Sequence, residues 1–263
     1  SKPSFDPNLF TLGQNYKPSS QSSYLSVEDI LSDNKDQPLL NRAISGVYPP
    51  GSTFKIVVAA AGLNNKIIDE NFEVEDTGSI NVGAFTFSNW YFTQYGKTDG
   101  MVNVAKGIKR SNDIFFYKLA EKIGVDKISQ TAMDFGLGQK LGIDLAGEAK
   151  GLIPTRKWKE KTIGGPWFLG DTYHYGIGQG YVLTTPLQVN SWTAVLANVG
   201  VLYEPHLLKS QKSTSPASSG RESKSQKFLS DKTVSLIREG MIESCSAGGV
   251  AWPLFEFRVR NSK

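Results

Sequence analysis

Apolar residues recur at intervals of three and four in several stretches and alternate in only one, so helices are expected to outnumber strands. Up to about residue 40 the chain reads mostly as turn and loop. Asn15 to Ser23 is rich in Ser and Pro, and a short helical stretch near Val27 to Leu31 ends in Ser32-Asp33-Asn34-Lys35-Asp36. A Pro49-Pro50-Gly51 break precedes a helix predicted over Ser52 to Leu63, closed by Asn64-Asn65. Phe72 to Phe87 alternates and carries β-branched and aromatic residues, the pattern of short strands or extended loop. Amphipathic helices are predicted over Val102 to Lys109, Asp113 to Ile123 (closed by Gly124) and Asp126 to Phe135. Gly136 to Trp158, rich in Gly and Pro, reads as a long ordered loop. Thr185 to Asn198 is a helix with Pro186 in its first turn, and Asp231 to Ser244 is another. Between those two, Lys209 to Lys227 is Ser- and Lys-rich and reads as an exposed excursion.

No repeat and no shift in composition marks a boundary, so 1–263 is read as one domain, long enough to bury a real core. Hydrophobic residues make up 39% and charged residues 21%, which fits an ordinary globular protein. The net charge of +4 is too small and too scattered to argue for nucleic acid, and no such partner is expected. A single cysteine, Cys245, rules out an internal disulfide and a CxxC site. No run approaches the roughly 18 apolar residues of a membrane span; the most apolar stretch, Ile56 to Leu63, reads as a buried helix. The chain opens on Ser1-Lys2-Pro3 with no signal-like segment, and is expected to be a piece of a longer protein with an anchor upstream.

The pattern Ser-x-x-Lys occurs at Ser32 to Lys35 and at Ser52 to Lys55. Ser32 sits in a polar run, where its lysine stays solvated and protonated. At the second, a Pro-Pro-Gly turn delivers Ser52 to the start of an apolar helix. Positions i and i+3 share a helix face, so Lys55 reaches back over Ser52. The apolar helix can desolvate the ammonium and lower its pKa until a neutral amine accepts the serine proton. The helix N-terminus adds N–H groups for developing oxygen charge. The same residues also fit an N-cap serine with a snorkelling lysine. Ser111-Asn112-Asp113, between two helices, could relay a proton from Lys55; taken alone, Ser111 or Asp113 as a helix cap explains it better.

Together the two elements resemble the penicillin-recognising serine enzymes. Longer segments resemble class B penicillin-binding proteins. These are Pro3-Ser4-Phe5-Asp6-Pro7-Asn8, Asn41-Arg42-Ala43 through Lys55, the glycine-rich Phe135 to Pro154, and Gly170-Asp171-Thr172 with Gly178-Gln179-Gly180 and Thr185-Pro186-Leu187-Gln188. Ser-x-Asp followed by Phe115-Phe116-Tyr117 is similar to the elongation-type subgroup, often called penicillin-binding protein 2. The resemblance implies an α+β fold of the penicillin-binding and serine β-lactamase-like transpeptidase type, with the helical lobe dominant and the antiparallel sheet incomplete here. It implies that Ser52, Lys55, Ser111 and Asp113 are catalytic. Lys55 deprotonates Ser52 for attack on a D-Ala-D-Ala stem of peptidoglycan, Ser111 passes protons, and Asp113 holds the stem or Lys55. Asn112, Gln179, Gly180 and Thr185 are the implied substrate contacts. The implied partners are stem peptides, β-lactams, a glycosyltransferase and other wall-synthesis proteins, on the outer, periplasmic face of the cytoplasmic membrane. No cofactor is implied.

Two departures stand out. The family's Lys-Ser/Thr-Gly strand is absent: Lys97-Thr98-Asp99-Gly100 has an extra residue, and Lys212-Ser213-Thr214 lacks the glycine. The strand is expected beyond Lys263, leaving no completed sheet beside Ser52. Some members of the subgroup carry zinc between the first two motifs, but no His or Cys lies between Ser52 and Ser111, so no metal is expected. His174, near Gly178-Gln179-Gly180, and His206 each stand alone. The alternatives are a β-lactam sensor, a catalytically silent wall scaffold, or a serine β-lactamase, whose class A Glu-x-x-x-Asn is missing. The enzyme reading predicts that Ser52 Oγ and Lys55 Nζ lie within direct or one-water reach, with Ser111 converging on the same point.

Overall fold

From Ile56 to Gly62 no side chain is polar, and a helix that is apolar on every side is stable only inside a molecule. The computed structural model, which describes residues 4–12, 16–208 and 227–255, places it there. The elements are a 3-10 turn at Pro7–Phe10, α1 (Val27–Ser32), a second 3-10 turn at Gly51–Phe54 and α2 (Lys55–Asn64). Then come β1 (Glu73–Asp76), β2 (Ser79–Val82), β3 (Phe85–Ser88), α3 (Trp90–Tyr95) and β4 (Gly100–Asn103). The rest is helical: α4 (Val104–Arg110), α5 (Asp113–Ile123), α6 (Val125–Asp134), α7 (Arg156–Ile163), α8 (Leu169–Gly176), α9 (Pro186–Ala197), α10 (Asp231–Ser244) and α11 (Trp252–Phe255).

Helix α2 is buried from Lys55 through Gly62 and packs against α5, α6 and α10. Helix α10 in turn lies along α4 so closely that a Cβ on Gly240 would press on Ala105 O and Ile108 Cβ. One continuous core runs from Phe54 to Ile237, and a small satellite of Leu9, Tyr24 and Ile30 sits under the N-terminal segment. Strands form two antiparallel pairs, β1 with β4 (Asp76 opposite Gly100) and the hairpin β2–β3 (Ile80 opposite Phe87). The hairpin and α3 are thus carried as an excursion between paired β1 and β4. The helix-dominated α+β architecture is the one expected, and among the described residues none from a strand lines the cavity at Ser52.

Several boundaries differ from the sequence expectation. The helix expected from Val102 starts at Val104, because 100–103 pair with β1 and the Asn103 side chain caps the helix by accepting from Lys106 N. The loop expected through Trp158 ends at Thr155, whose Oγ1 accepts from Trp158 N and starts α7. Helices α7 and α8, absent from the sequence reading, are only eight residues each, and charged α7 buries just Lys159, so no apolar period announces it. The segment 209–227 lies, apart from Lys227, outside the described residues. Among the described residues, no helix is long and apolar enough to cross a membrane.

Candidate active site

The approach to Ser52 is tied down on both sides. Tyr48 exchanges backbone hydrogen bonds with Thr184, and Gly51 N donates to Gly178 O at 2.8 Å. Gly178, with φ of +74°, comes so close that a Cβ there would run into the Gly51 carbonyl. The chain then makes a 3-10 turn whose Phe54 ring is fully buried, stacked on Tyr175 at 5.4 Å and edge-on to Trp192 at 6.1 Å. Ser52 itself stays exposed. At a helix start the first N–H groups have no carbonyl behind them in the helix to accept from them.

Lys55, one turn on, is 2% exposed. Its Nζ donates to Ser111 O (2.8 Å), Ser111 Oγ (3.0 Å) and Asp113 Oδ1 (2.6 Å), which uses all three ammonium donors, and lies 5.4 Å from the Phe116 ring centre. Burial pushes the Lys55 pKa below the usual lysine range, and the Asp113 carboxylate partly opposes that shift. Ser111 presents both oxygens because it ends α4 in the left-handed region, φ +49°, which is strained for a residue with a side chain. Ser52, Lys55 and Ser111 line one cavity of about 330 Å³, walled further by Val189 and Trp192 of α9 and by Cys245 and Val250 after α10. No hydrogen bond joins Ser52 Oγ to Lys55 Nζ here: Ser111 has converged on the lysine as expected, but the ammonium points at Ser111 and Asp113, while Ser52 shares the cavity.

Other implied site residues fall elsewhere. Asn112 is fully buried and is itself the cap of α5, accepting from Phe115 N, so neither Ser111 nor Asp113 caps that helix. Thr185, 1% exposed, is the cap of α9 in a reciprocal pair with Gln188, with its hydroxyl oxygen accepting from Gln188 N. Gln179 and Gly180 are exposed on the turn after α8, just past the Gly178–Gly51 contact. His174 is exposed and leans on the Phe87 ring. Ser32 and Lys35 are exposed, as their polar surroundings imply.

Sequence reasoning missed a buried polar cluster behind Ser111-Asn112-Asp113. Asp76 Oδ2 accepts from Asn89 Nδ2, Asn112 Nδ2 and Asp99 N at 2.8–2.9 Å. Asn89 Oδ1 accepts from Asp113 N, and Asp113 Oδ2 accepts from Trp90 N. In sequence these residues look like turn punctuation, and nothing in their spacing signals that they meet. The donor set does not fit zinc: two amides stand where imidazole or thiolate would be needed, and the side chains are satisfied by one another. Among the described residues no group of three or more His, Cys, Asp or Glu could hold a metal ion.

The penicillin binding protein transpeptidase domain model matches residues 1–253. The chain belongs to that family. It is 38% identical to the peptidoglycan D,D-transpeptidase MrdA of Acinetobacter baumannii, over 97% of this chain and 37% of that protein. A crystal structure of Pseudomonas aeruginosa penicillin-binding protein 2 in complex with WCK 5153 is 36% identical and superposes with a TM-score of 0.80, covering 98% of this chain and 56% of that one. Penicillin-binding protein 2 of Helicobacter pylori, in a complex with MreC, is 34% identical with a TM-score of 0.74, over 86% of this chain and 40% of that one. The chain spans about a third of the length of the curated relatives it matches. Among penicillin-binding proteins, then, its likeness is to the penicillin-binding protein 2 group that its Ser-x-Asp segment suggested.

Proposed function

We propose that this chain is the acyl-transfer core of a peptidoglycan D,D-transpeptidase with Ser52 as nucleophile. The observation that carries the reading is Lys55: a buried amine whose pKa is lowered, held by Ser111 and Asp113 in the cavity that Ser52 lines. In the deprotonated form Lys55 takes the Ser52 hydroxyl proton, directly or through Ser111 Oγ. Ser52 Oγ bonds to the carbonyl carbon of the penultimate D-Ala, and N–H groups of the 3-10 turn face the developing oxyanion. Ser111 returns the proton to the departing D-Ala nitrogen as that C–N bond breaks. An amine of a neighbouring stem then bonds to the ester carbon, giving up a proton through Ser111 and Lys55, and that proton returns to Ser52 Oγ as the ester C–O bond breaks. Ser111 is the proton-transfer group, since among the described residues its hydroxyl is the one that touches the Lys55 amine. β-Lactams would acylate Ser52 by the same route.

The relatives support a place in the cell envelope, with wall-synthesis proteins as partners; the MreC complex of the Helicobacter pylori protein is the model for one of them. In the full-length protein a fluorescent penicillin should add one covalent label, lost in Ser52→Ala and kept in Ser32→Ala. Intact-mass spectra showing equal labelling of Ser52→Ala would overturn the assignment.

A further inference from the structure

A carboxylate that is 3% exposed and has no cation in ion-pair range among the described residues is costly unless hydrogen bonds replace its water. Asp76, the last residue of β1, is such a group, and its partners identify what it organises. Oδ1 accepts from Gly78 N at 2.9 Å, and Oδ2 accepts from Asn89 Nδ2 (2.9 Å), Asn112 Nδ2 (2.8 Å) and Asp99 N (2.9 Å). Four donors from four segments therefore converge on one carboxylate. Two of them, Asn89 and Asn112, are fully buried, and both lead to the Lys55 site. Asn112 stands between Ser111 and Asp113 in the chain. Asn89 holds Asp113 N at 3.2 Å, and the next residue holds Asp113 Oδ2 through Trp90 N at 3.1 Å. With its backbone N–H and one carboxylate oxygen engaged in this way, Asp113 is left with Oδ1 for Lys55.

We propose that Asp76 is a positioning residue of the Lys55 site: through Asn89 and Asn112 it fixes Asp113 and Ser111 where they bind the amine. The β1–β4 pair with its hairpin excursion is then the brace of the catalytic segment, since Asp76, Asn89, Trp90 and Asp99 all lie on it. The brace is closed on its outer side by Arg110, which donates to Asp99 Oδ1 (3.0 Å) and Gly248 O (2.8 Å) while its own carbonyl accepts from Trp90 Nε1 (2.9 Å). The ionisable groups around the amine are thus Asp113 in contact, Asp76, Asp99 and Arg110 behind it, the Tyr117 phenol, and the Cys245 thiol on the far wall of the cavity. Burial, reinforced by Asp113, pushes the phenol far up and keeps it neutral.

The role rests on the reading of Lys55 as the base for Ser52, and the experiment separates the two. In the full-length protein, the rate of penicillin acylation is measured against pH for wild type, Asp76→Ala and Asn89→Ala, with thermal melts alongside and Ser52→Ala as reference. Failure of the wild type to label, or labelling of Ser52→Ala, would count against the nucleophile assignment and not against the brace. If Asp76 positions Asp113, both brace variants lose rate, on the order of a hundredfold for a displacement near 1 Å. Their rising pH limb also moves to lower pH, because the amine loses the carboxylate that raises its pKa. A purely structural role would lower the melting temperature and leave that limb where it is. A folded variant with wild-type rate and wild-type limb overturns the proposal, and so does a wild-type rate that collapses on metal chelation, which would put an ion in place of the amide network. Asn89→Ala leaves the carboxylate in place and decides the matter if Asp76→Ala does not fold; failure of both to fold rejects positioning in favour of scaffolding.

Discussion

Burial of the Lys55 ammonium beside an apolar helix lowers its pKa, and the Asp113 carboxylate at 2.6 Å raises it, so these two together set the fraction of amine available as a base. In Asp113→Asn only the burial remains. The Lys55 pKa falls further, and the rising limb of acylation against pH moves to lower pH. The plateau rate falls as well, because an amide has one oxygen where two were accepting, from Lys55 and from Trp90 N. Stability follows the same sign. The folded Lys55 pKa lies below the unfolded value near 10.5, so stability rises with pH between the two. Below that window the variant holds a buried ammonium without its counter-ion, which costs about 3–5 kcal/mol. Urea titrations across pH should find the deficit below the Lys55 pKa and see it shrink as pH rises through it. At this scale the Ser52, Lys55 and Ser111 grouping was legible from i,i+3 spacing and the two motifs. That the amine faces Ser111 and Asp113, with no direct bond to Ser52, was not, because it depends on how α4 ends.

Helix ends carry much of the site's geometry. Thr185 illustrates the difference between a residue in a motif and a residue in a cleft, since its hydroxyl is spent on Gln188 N and its N–H on Gln188 Oε1. Thr185→Ala should therefore cost about 1 kcal/mol of stability through the lost cap. For a domain of this size that is a melting shift of roughly 2–4 °C. Acylation per folded molecule should be unchanged in the same samples; a fall in acylation without a shift in melting would return Thr185 to the substrate site. Helices with strong apolar period, α5 and α6, and the capped α9 and α10 were found at nearly their true bounds. Those that escaped, α3, α7 and α8 among them, are short: α3 buries no residue, and α7 and α8 are capped by Thr155 and by the Asp171 carboxylate, with little periodic burial to reveal them.

For the molecule as a whole, the Ser52 turn is anchored in the core through the Phe54 ring. Phe54 is wholly buried between Tyr175 of α8 and Trp192 of α9, elements far apart in sequence. Phe54→Ala should cost about 3–5 kcal/mol from lost burial and the cavity left behind. Total stabilities are commonly about 5–15 kcal/mol, so that is a large share. Guanidinium titrations should record the loss, and Ser52 labelling should slow in the fraction that stays folded. A variant with wild-type midpoint would mean the turn is held by its backbone bonds to Gly178 and Thr184 alone.

The sequence by itself determined the helix-rich class, the burial of α2 and the exposure of Ser32 and Lys35, and its motifs carried the likeness to the family. Each of these rests on local information: period, caps, turn residues and motif spacing. Only the tertiary structure decided that Asp76, Asn89, Asp99 and Asn112 close on one another, that Asn112 and Thr185 are helix caps, and that Lys55 donates its hydrogen bonds to Ser111 and Asp113. Those outcomes depend on pairings between residues as many as 58 positions apart. A polar side chain's partner is chosen by which segments the packed core brings within 3 Å, and no local pattern of residues encodes that distance.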